Sequence, residues 1–167
     1  LYTDCRISRK KHTKMLKCES NVTEGRHSAE FIYERVSNPM ALARLREAAS
    51  GDDVEQRLQS LDPERAAQLR EVLERTEFSE DAITMQSPLG SVRMQIVERE
   101  APKLVKYQSA EGPLPLTMWI QLLPQTGETC KVRVTVGAEV NFMMKTMVSG
   151  PLTNIANVIA QFVAAIP

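Results

Sequence analysis

Between Asp81 and Val140, apolar and polar positions alternate with a period of two, in runs separated by turn residues. The runs are AITMQS, SVRMQIVERE, KLVKYQS, PLTMWIQLLP and TCKVRVTVGAEV, and Phe78 opens the series. In the second run Val92, Met94, Ile96 and Glu98 share one face, opposite Arg93, Gln95, Val97 and Arg99. In the last, Cys130, Val132, Val134, Val136 and Ala138 oppose Lys131, Arg133, Thr135, Gly137 and Glu139. This is the pattern of strands packed on one face and solvated on the other. The breaks at Pro88-Leu89-Gly90, Ala101-Pro102, Glu111-Gly112-Pro113 and Gln125-Thr126-Gly127-Glu128 are short, so successive runs are expected to be antiparallel neighbours. The run holding Trp119 is apolar on both faces, with Leu116, Met118, Ile120 and Leu122 on one and Trp119 and Leu123 on the other. It is expected to be central or covered on its second face, with Trp119 mostly buried.

After Val140 the spacing changes to three and four. Phe142, Met143, Met147, Val148, Leu152, Ile155, Ala156, Ile159, Phe162, Val163 and Ile166 share one broad face of a helix predicted over 141–165. Pro151 lacks the N–H that would bond residue 147, which predicts a kink or a split there, with Ser149 as a cap. Upstream, Leu16 to Thr23 reads as a short strand with Leu16, Cys18, Ser20 and Val22 on one face. Ser28 is an N-cap for a helix from Ala29, amphipathic through Phe31, Ile32, Arg35 and Val36, and Asn38-Pro39 stops it. A helical insert follows over 40–75. Met40, Leu42 and Leu45 form a stripe, Gly51-Asp52-Asp53 breaks it, and Val54, Leu58 and Leu61 make a short second element. Asp62-Pro63 then starts a helix that turns Ala66, Leu69, Val72 and Leu73 inward. The predicted fold class is α+β: a curved antiparallel sheet of six or seven strands around a long C-terminal helix.

At 167 residues, with 43% hydrophobic and 25% charged positions, the chain fits one soluble domain. The net charge is zero but unevenly spread. Residues 1–17 carry six basic groups against Asp4 alone, and the other 150 carry 15 basic and 20 acidic groups. A mildly acidic body offers no long-range attraction to nucleic acid. The basic head RISRKKHTKMLK lacks the aromatics and the apolar face of a nucleic-acid or membrane arm. Residues 1–14 are therefore expected to be an extension outside the fold, with Met15 as the natural first residue and 15–167 as the domain. Cys5, Cys18 and Cys130 are an odd number, widely spaced, with no CxxC, which argues against a disulfide scaffold and for a reducing, cytoplasmic setting. No window reaches the ~18 apolar residues of a membrane span, so no stable membrane insertion is expected.

Candidate chemistry is sparse. The two histidines, His12 and His27, stand apart, and no HxH or HExxH occurs, so no metal site is expected. Neither GxGxxG nor GxxxxGK[ST] occurs, and no cofactor is expected. Ser149 has no base beside it, and no catalytic residue is assigned. Met94, Met118, Met143, Met144 and Met147 fall on the last helix and the strands expected to face it, and methionine adapts to irregular apolar space. A cavity between sheet and helix is expected to be lined by Met94, Ile96, Met118, Ile120, Val134, Met147, Ile155 and Ile159. Glu98, Tyr107 and Trp119 are the candidate polar contacts.

The chain also resembles a known superfamily. HSAEFIYERVSNPMALARL at 27–45, SPLGSVRMQIVEREAPKLVKYQS at 87–109, LTMWIQLLP at 116–124 and GAEVNFMMKTMVSGPLTNIANVIAQFVAAIP at 137–167 are similar to segments of START-like (SRPBCC, helix-grip) proteins. That superfamily includes polyketide cyclases, lipid-transfer domains and plant pathogenesis-related ligand carriers. The nearest likeness is to uncharacterised members from Bacteroides-type bacteria, over residues 16–167. The resemblance implies a sheet gripping the helix at 141–165 with a cavity between them. It carries over no catalytic residue of the cyclases.

Three functions compete. The first is non-enzymatic binding of a small apolar, amphipathic or lipid-like molecule. The second is a cyclase- or hydrolase-like enzyme, and the third a structural or interaction domain with a filled core. A cavity of about 300 Å³ or more favours the first. A buried polar group with a strongly shifted pKa favours the second. An exposed apolar patch around Met40, Leu42 and Leu45 would mark a protein partner or a homodimer.

Overall fold

The computed structural model describes residues 5–10, 13–48, 62–87, 90–111, 115–125, 127–140, 145–164 and 166. The expected element at Val54, Leu58 and Leu61 lies outside these residues, as do Phe142, Met143 and Met144. The strands are β1 (Cys5–Lys10), β2 (Thr13–Glu19), β3 (Thr23–Gly25), β4 (Glu77–Phe78), β5 (Ala82–Ser87), β6 (Gly90–Glu100), β7 (Leu104–Glu111), β8 (Leu116–Pro124) and β9 (Cys130–Glu139). The helices are α1 (Ala29–Val36), α2 (Pro39–Ala48), α3 (Pro63–Arg75) and α4 (Lys145–Ala164).

Among the described residues all pairings are antiparallel, in the order β1-β2-β9-β8-β7-β6-β5-β4, with β3 beside β9. The curved meander β5–β9 follows the alternation of the sequence. The strand count exceeds the expected six or seven because β1 and β4 add short edges and the first strand is broken in two. β2 pairs with the Thr135–Glu139 end of β9 and β3 with Cys130–Val132. Between them Ser20 takes over the ladder: its N–H donates to the Val134 carbonyl at 2.7 Å and its Oγ accepts from the Val134 N–H at 2.9 Å. Leu16, Cys18 and Ser20 stay buried, but the break turns Val22 to solvent, 56% exposed, instead of onto their face.

Two further expectations are corrected at the N-terminus. Cys5–Lys10 belongs to the fold as an edge strand, with Cys5 opposite Cys18 and Ile7 opposite Leu16. An edge strand is held by ladder hydrogen bonds and tolerates a basic sequence, so its low apolar content was a poor guide. Cys5 and Cys18 are joined by a disulfide, while Cys130 is free and buried. An odd cysteine count says nothing about a hairpin register that sets two of the three face to face.

Ser28 caps α1, its Oγ accepting from the Phe31 N–H at 3.3 Å. Asp62 caps α3 in the same manner through the Glu64 N–H at 3.4 Å, with Pro63 in the first turn, and Ala66 is buried. α4 lies across β2, β3 and β9 and buries Val148, Leu152, Ala156, Ala160, Val163 and Ala164. It runs unbroken through Pro151, so of the kink or split expected there the split does not occur. The missing N–H falls on the turn of Met147, whose side chain is 76% exposed, where water can serve the carbonyl. Ser149 is a buried residue inside the helix rather than a cap, and its carbonyl accepts the Thr153 hydroxyl at 2.8 Å.

Candidate functional site

The inward residues of the sheet form continuous rows. One runs Cys18, Val136, Met118, Tyr107, Ile96 across β2, β9, β8, β7 and β6, and the next runs Val134, Ile120, Val105, Arg99. Where these rows pass under the C-terminal half of α4 they leave a cavity of about 60 Å³. Ile83, Met85, Tyr107, Met118 and Ile120 line it from the sheet. Val158, Ile159, Phe162 and Val163 line it from α4, and Val36, Leu42, Thr76 and Phe78 close the remaining side.

Among the described lining residues, Tyr107 brings the only ionisable group. It is fully buried, and its hydroxyl donates to the Val36 carbonyl at 2.5 Å. Burial pushes the phenol well above its ordinary value, and the Arg99 guanidinium only partly offsets this, so the ring stays neutral through the physiological range. Arg99 extends the same clasp: Nε and Nη2 donate to the Ser37 carbonyl at 3.4 and 3.3 Å, and Nη2 also meets Asp81 Oδ1 at 3.4 Å. Two β-strand side chains thus satisfy carbonyls at the end of α1, where the helix itself supplies no donor.

Of the eight expected lining residues, Met118, Ile120 and Ile159 border the cavity. Met94 and Val134 are buried elsewhere in the core, and Ile96 and Ile155 pack against it part-buried. Met147 points to solvent, because the apolar face of α4 that meets the sheet is narrower than the apolar face of its sequence. Among the three polar candidates only Tyr107 reaches the cavity. The ladder shifts register between Ile96 and Glu98: Ile96 pairs with inward Tyr107, but Glu98 pairs with outward Lys106. This bulge at Val97, itself 52% exposed, carries Glu98 out of the face it shares in the sequence pattern. Trp119 lies on the outer face of β8, part-buried, with the ammonium groups of Lys17 and Lys106 at 4.7 and 5.6 Å from its ring. Gly137 on β9 makes room for the ring: a Cβ there would stand 3.0 Å from Trp119 Cζ3 and 2.8 Å from Met15 Sδ.

Residues absent from the expected lining include Ile83 and Met85, whose inward alternation in β5 was readable, and Phe162 and Val163, which lie on the apolar face of the helix. Val36, Leu42, Thr76 and Phe78 enter through tertiary packing that no local pattern announces. Leu42 is buried, so it forms no exposed patch with Met40. Among the described residues no cluster of His, Cys, Asp or Glu could hold a metal ion, and no helix is long and apolar enough to cross a membrane.

Known structures share this arrangement. Truncated norcoclaurine synthase from Thalictrum flavum is similar with a TM-score of 0.58 at 16% identity, over 95% of this chain and 99% of that one. A START superfamily protein from Mycobacterium smegmatis is similar with a TM-score of 0.51 at 12% identity, over 89% and 96%. XoxI from Bacillus cereus gives 0.51 at 11%, over 87% and 92%. The fold is the START-like helix grip. At such identities the likeness extends to the fold alone. No protein family defined by sequence matches the chain, and no curated protein does.

Proposed function

We propose that this protein binds a small, uncharged, apolar molecule between the sheet and α4, without converting it chemically. The observation that carries this reading is the continuous apolar lining drawn from three sides, whose one ionisable group is already committed to Val36. The fold offers a precedent for occupancy by a small molecule, though by more polar ones: norcoclaurine synthase has been solved in complex with dopamine and hydroxybenzaldehyde. The segment likenesses at 27–45 and 137–167 support kinship with bacterial START-like proteins, and a cytoplasmic setting is part of the proposal. A cyclase- or hydrolase-like activity has less support, since no carboxylate, lysine or histidine is among the described lining residues.

A second reading has its own observation. At about 60 Å³ the cavity is well below the roughly 300 Å³ of a preformed ligand site. A ligand larger than a few carbon atoms must therefore displace flexible lining such as Met85, Met118 or Phe162, or else the space is a packing void in a structural domain. Titration with an apolar fluorescent probe separates the two. Val158 is a part-buried helix residue of the lining, and Val158→Phe adds bulk comparable to the void. The binding reading expects saturable uptake by the parent, and a Val158→Phe variant that takes up none while keeping its Tm. No uptake by the parent, with a variant destabilised by ~1–3 kcal/mol through overpacking, overturns it in favour of the filled core.

A further inference from the structure

A second site stands apart from the cavity, under the first half of α4. The β1–β2 ladder sets Cys5 opposite Cys18, and a disulfide joins them across 13 positions of sequence. Cys18 is fully buried and Cys5 part-exposed, so of the two half-cystines Cys5 is the one nearer to solvent. Both sulfurs face oxygens of α4. Cys18 Sγ lies 3.7 Å and Cys5 Sγ 3.9 Å from the Ser149 carbonyl oxygen, and Cys5 Sγ lies 3.2 Å from Thr153 Oγ1. A disulfide has no hydrogen to donate to these oxygens, but two thiols have one each. Neither state leaves an oxygen stranded, because the Thr153 hydroxyl already donates to the Ser149 carbonyl. The surroundings thus accommodate both oxidation states.

The bond also has something to hold. β1 is an edge strand with one neighbour, and Ile7 on its inward face is 40% exposed. Without the cross-link, β1 keeps the ladder to β2 but loses its covalent tie beside α4, and edge strands with few buried contacts open first. We propose that Cys5 and Cys18 form an exchangeable thiol–disulfide site, addressed by low-molecular-weight thiols, whose oxidised form fastens β1 beneath α4 and whose reduced form releases it. In the reducing direction a thiolate attacks Cys5 Sγ. A mixed disulfide forms there, and the S–S electron pair leaves on Cys18, which takes a proton. A second thiolate attacks the sulfur of the bound small molecule, the Cys5 thiolate departs and is protonated, and the two small thiols leave as their disulfide. Two electrons pass from two thiols to the protein, and the oxidised small-molecule disulfide reverses each step.

Reduced and oxidised glutathione, mixed over a range of ratios with the full chain, test this. After quenching by alkylation, the oxidising end is expected to give a protein two hydrogens lighter, a Cys5–Cys18 linked peptide, and Cys130 alkylated only after unfolding. At the reducing end both cysteines are expected to alkylate. Amide exchange over 5–10 should then rise by about tenfold or more while β8 is unchanged, and oxidised glutathione should restore protection. Cys5→Ser is expected to exchange fast over 5–10 in either buffer. If that variant does not fold, the parent series alone decides. Two free thiols at the oxidising end, a bridge to Cys130, or equal exchange over 5–10 in both buffers would each overturn the proposal.

Discussion

Tyr107→Phe isolates the clasp between the sheet and α1. The substitution removes one oxygen and leaves the ring in place, so no cavity of consequence opens. What is lost is the hydrogen bond to the Val36 carbonyl, 2.5 Å long and fully buried, and the carbonyl is left without that donor. Stranding a buried acceptor costs ~1–3 kcal/mol at neutral pH. For a domain of this size each kcal/mol lowers Tm by about 2–4 °C. The pH dependence supplies a second, independent reading. Burial raises the phenol's pKa in the folded state, so between the unfolded value of ~10 and the folded one the unfolded chain has lost a proton that the native state keeps. The stability Tyr107 contributes is therefore complete below pH ~10 and falls by up to ~1.4 kcal/mol per unit above it. The buried Cys130 thiol, also raised by burial and by Glu30, loses stability with rising pH in the same sense, but it is common to both proteins and cancels in the difference. Urea unfolding of parent and variant at several pH values from 7 to 11 should thus show a gap that is constant to pH ~10 and narrows beyond it. Parallel curves across the whole range would refute the argument, because they would mean that the hydroxyl is not buried in the folded protein.

Two glycines carry the remaining predictions. A Cβ on Gly25 would sit 2.9 Å from Ile32 Cδ1 and 3.0 Å from Cys130 Sγ, both fully buried, so Gly25→Ala should destabilise by ~1–3 kcal/mol in chemical denaturation. A Cβ on Gly137 meets Met15 and the Trp119 ring on the outer face, where side chains can yield. Gly137→Ala should therefore shift the Trp119 emission maximum while costing no more than ~1 kcal/mol, and an unchanged spectrum would contradict the contact.

What could be read from the sequence follows from what is local. The period-two runs from Asp81 to Val140 became β5 to β9 because alternation and turn residues are enough to mark a meander. Ser28 and Asp62 cap the helices they precede because a cap is a contact over two or three residues. The failures turn on tertiary context: strand register, the partner an element meets, and how much of a helix face is covered. The bulge at Val97 leaves no trace in SVRMQIVERE, where Glu98 falls in step with Val92, Met94 and Ile96, and only the pairing with Lys106 reveals its direction. Met147 sits on the apolar face of its helix, but sheet width decides how much of that face is covered. Cys5 reads as part of a polar tail until the hairpin register sets it against Cys18.

The same bulge shapes what the cavity can do. With Glu98 turned outward, the inward rows present Ile96, Tyr107, Met118 and Ile120, and at their far end Arg99, whose guanidinium reaches Ser37 and Asp81. Acid–base work at the cavity would therefore fall to Tyr107, and its hydroxyl is engaged by the end of α1. A ligand acceptor that took this hydroxyl would strand the Val36 carbonyl, at a cost of ~1–3 kcal/mol. That is about 5- to 150-fold in affinity against a hydrocarbon of the same shape, which asks nothing of the clasp. The bond that closes α1 onto the sheet thus also acts as a filter, favouring ligands without hydrogen-bonding groups at that wall. Only a rearrangement of α1, freeing Val36 and Tyr107 together, would turn the cavity from an apolar receptacle into a site with a proton to give.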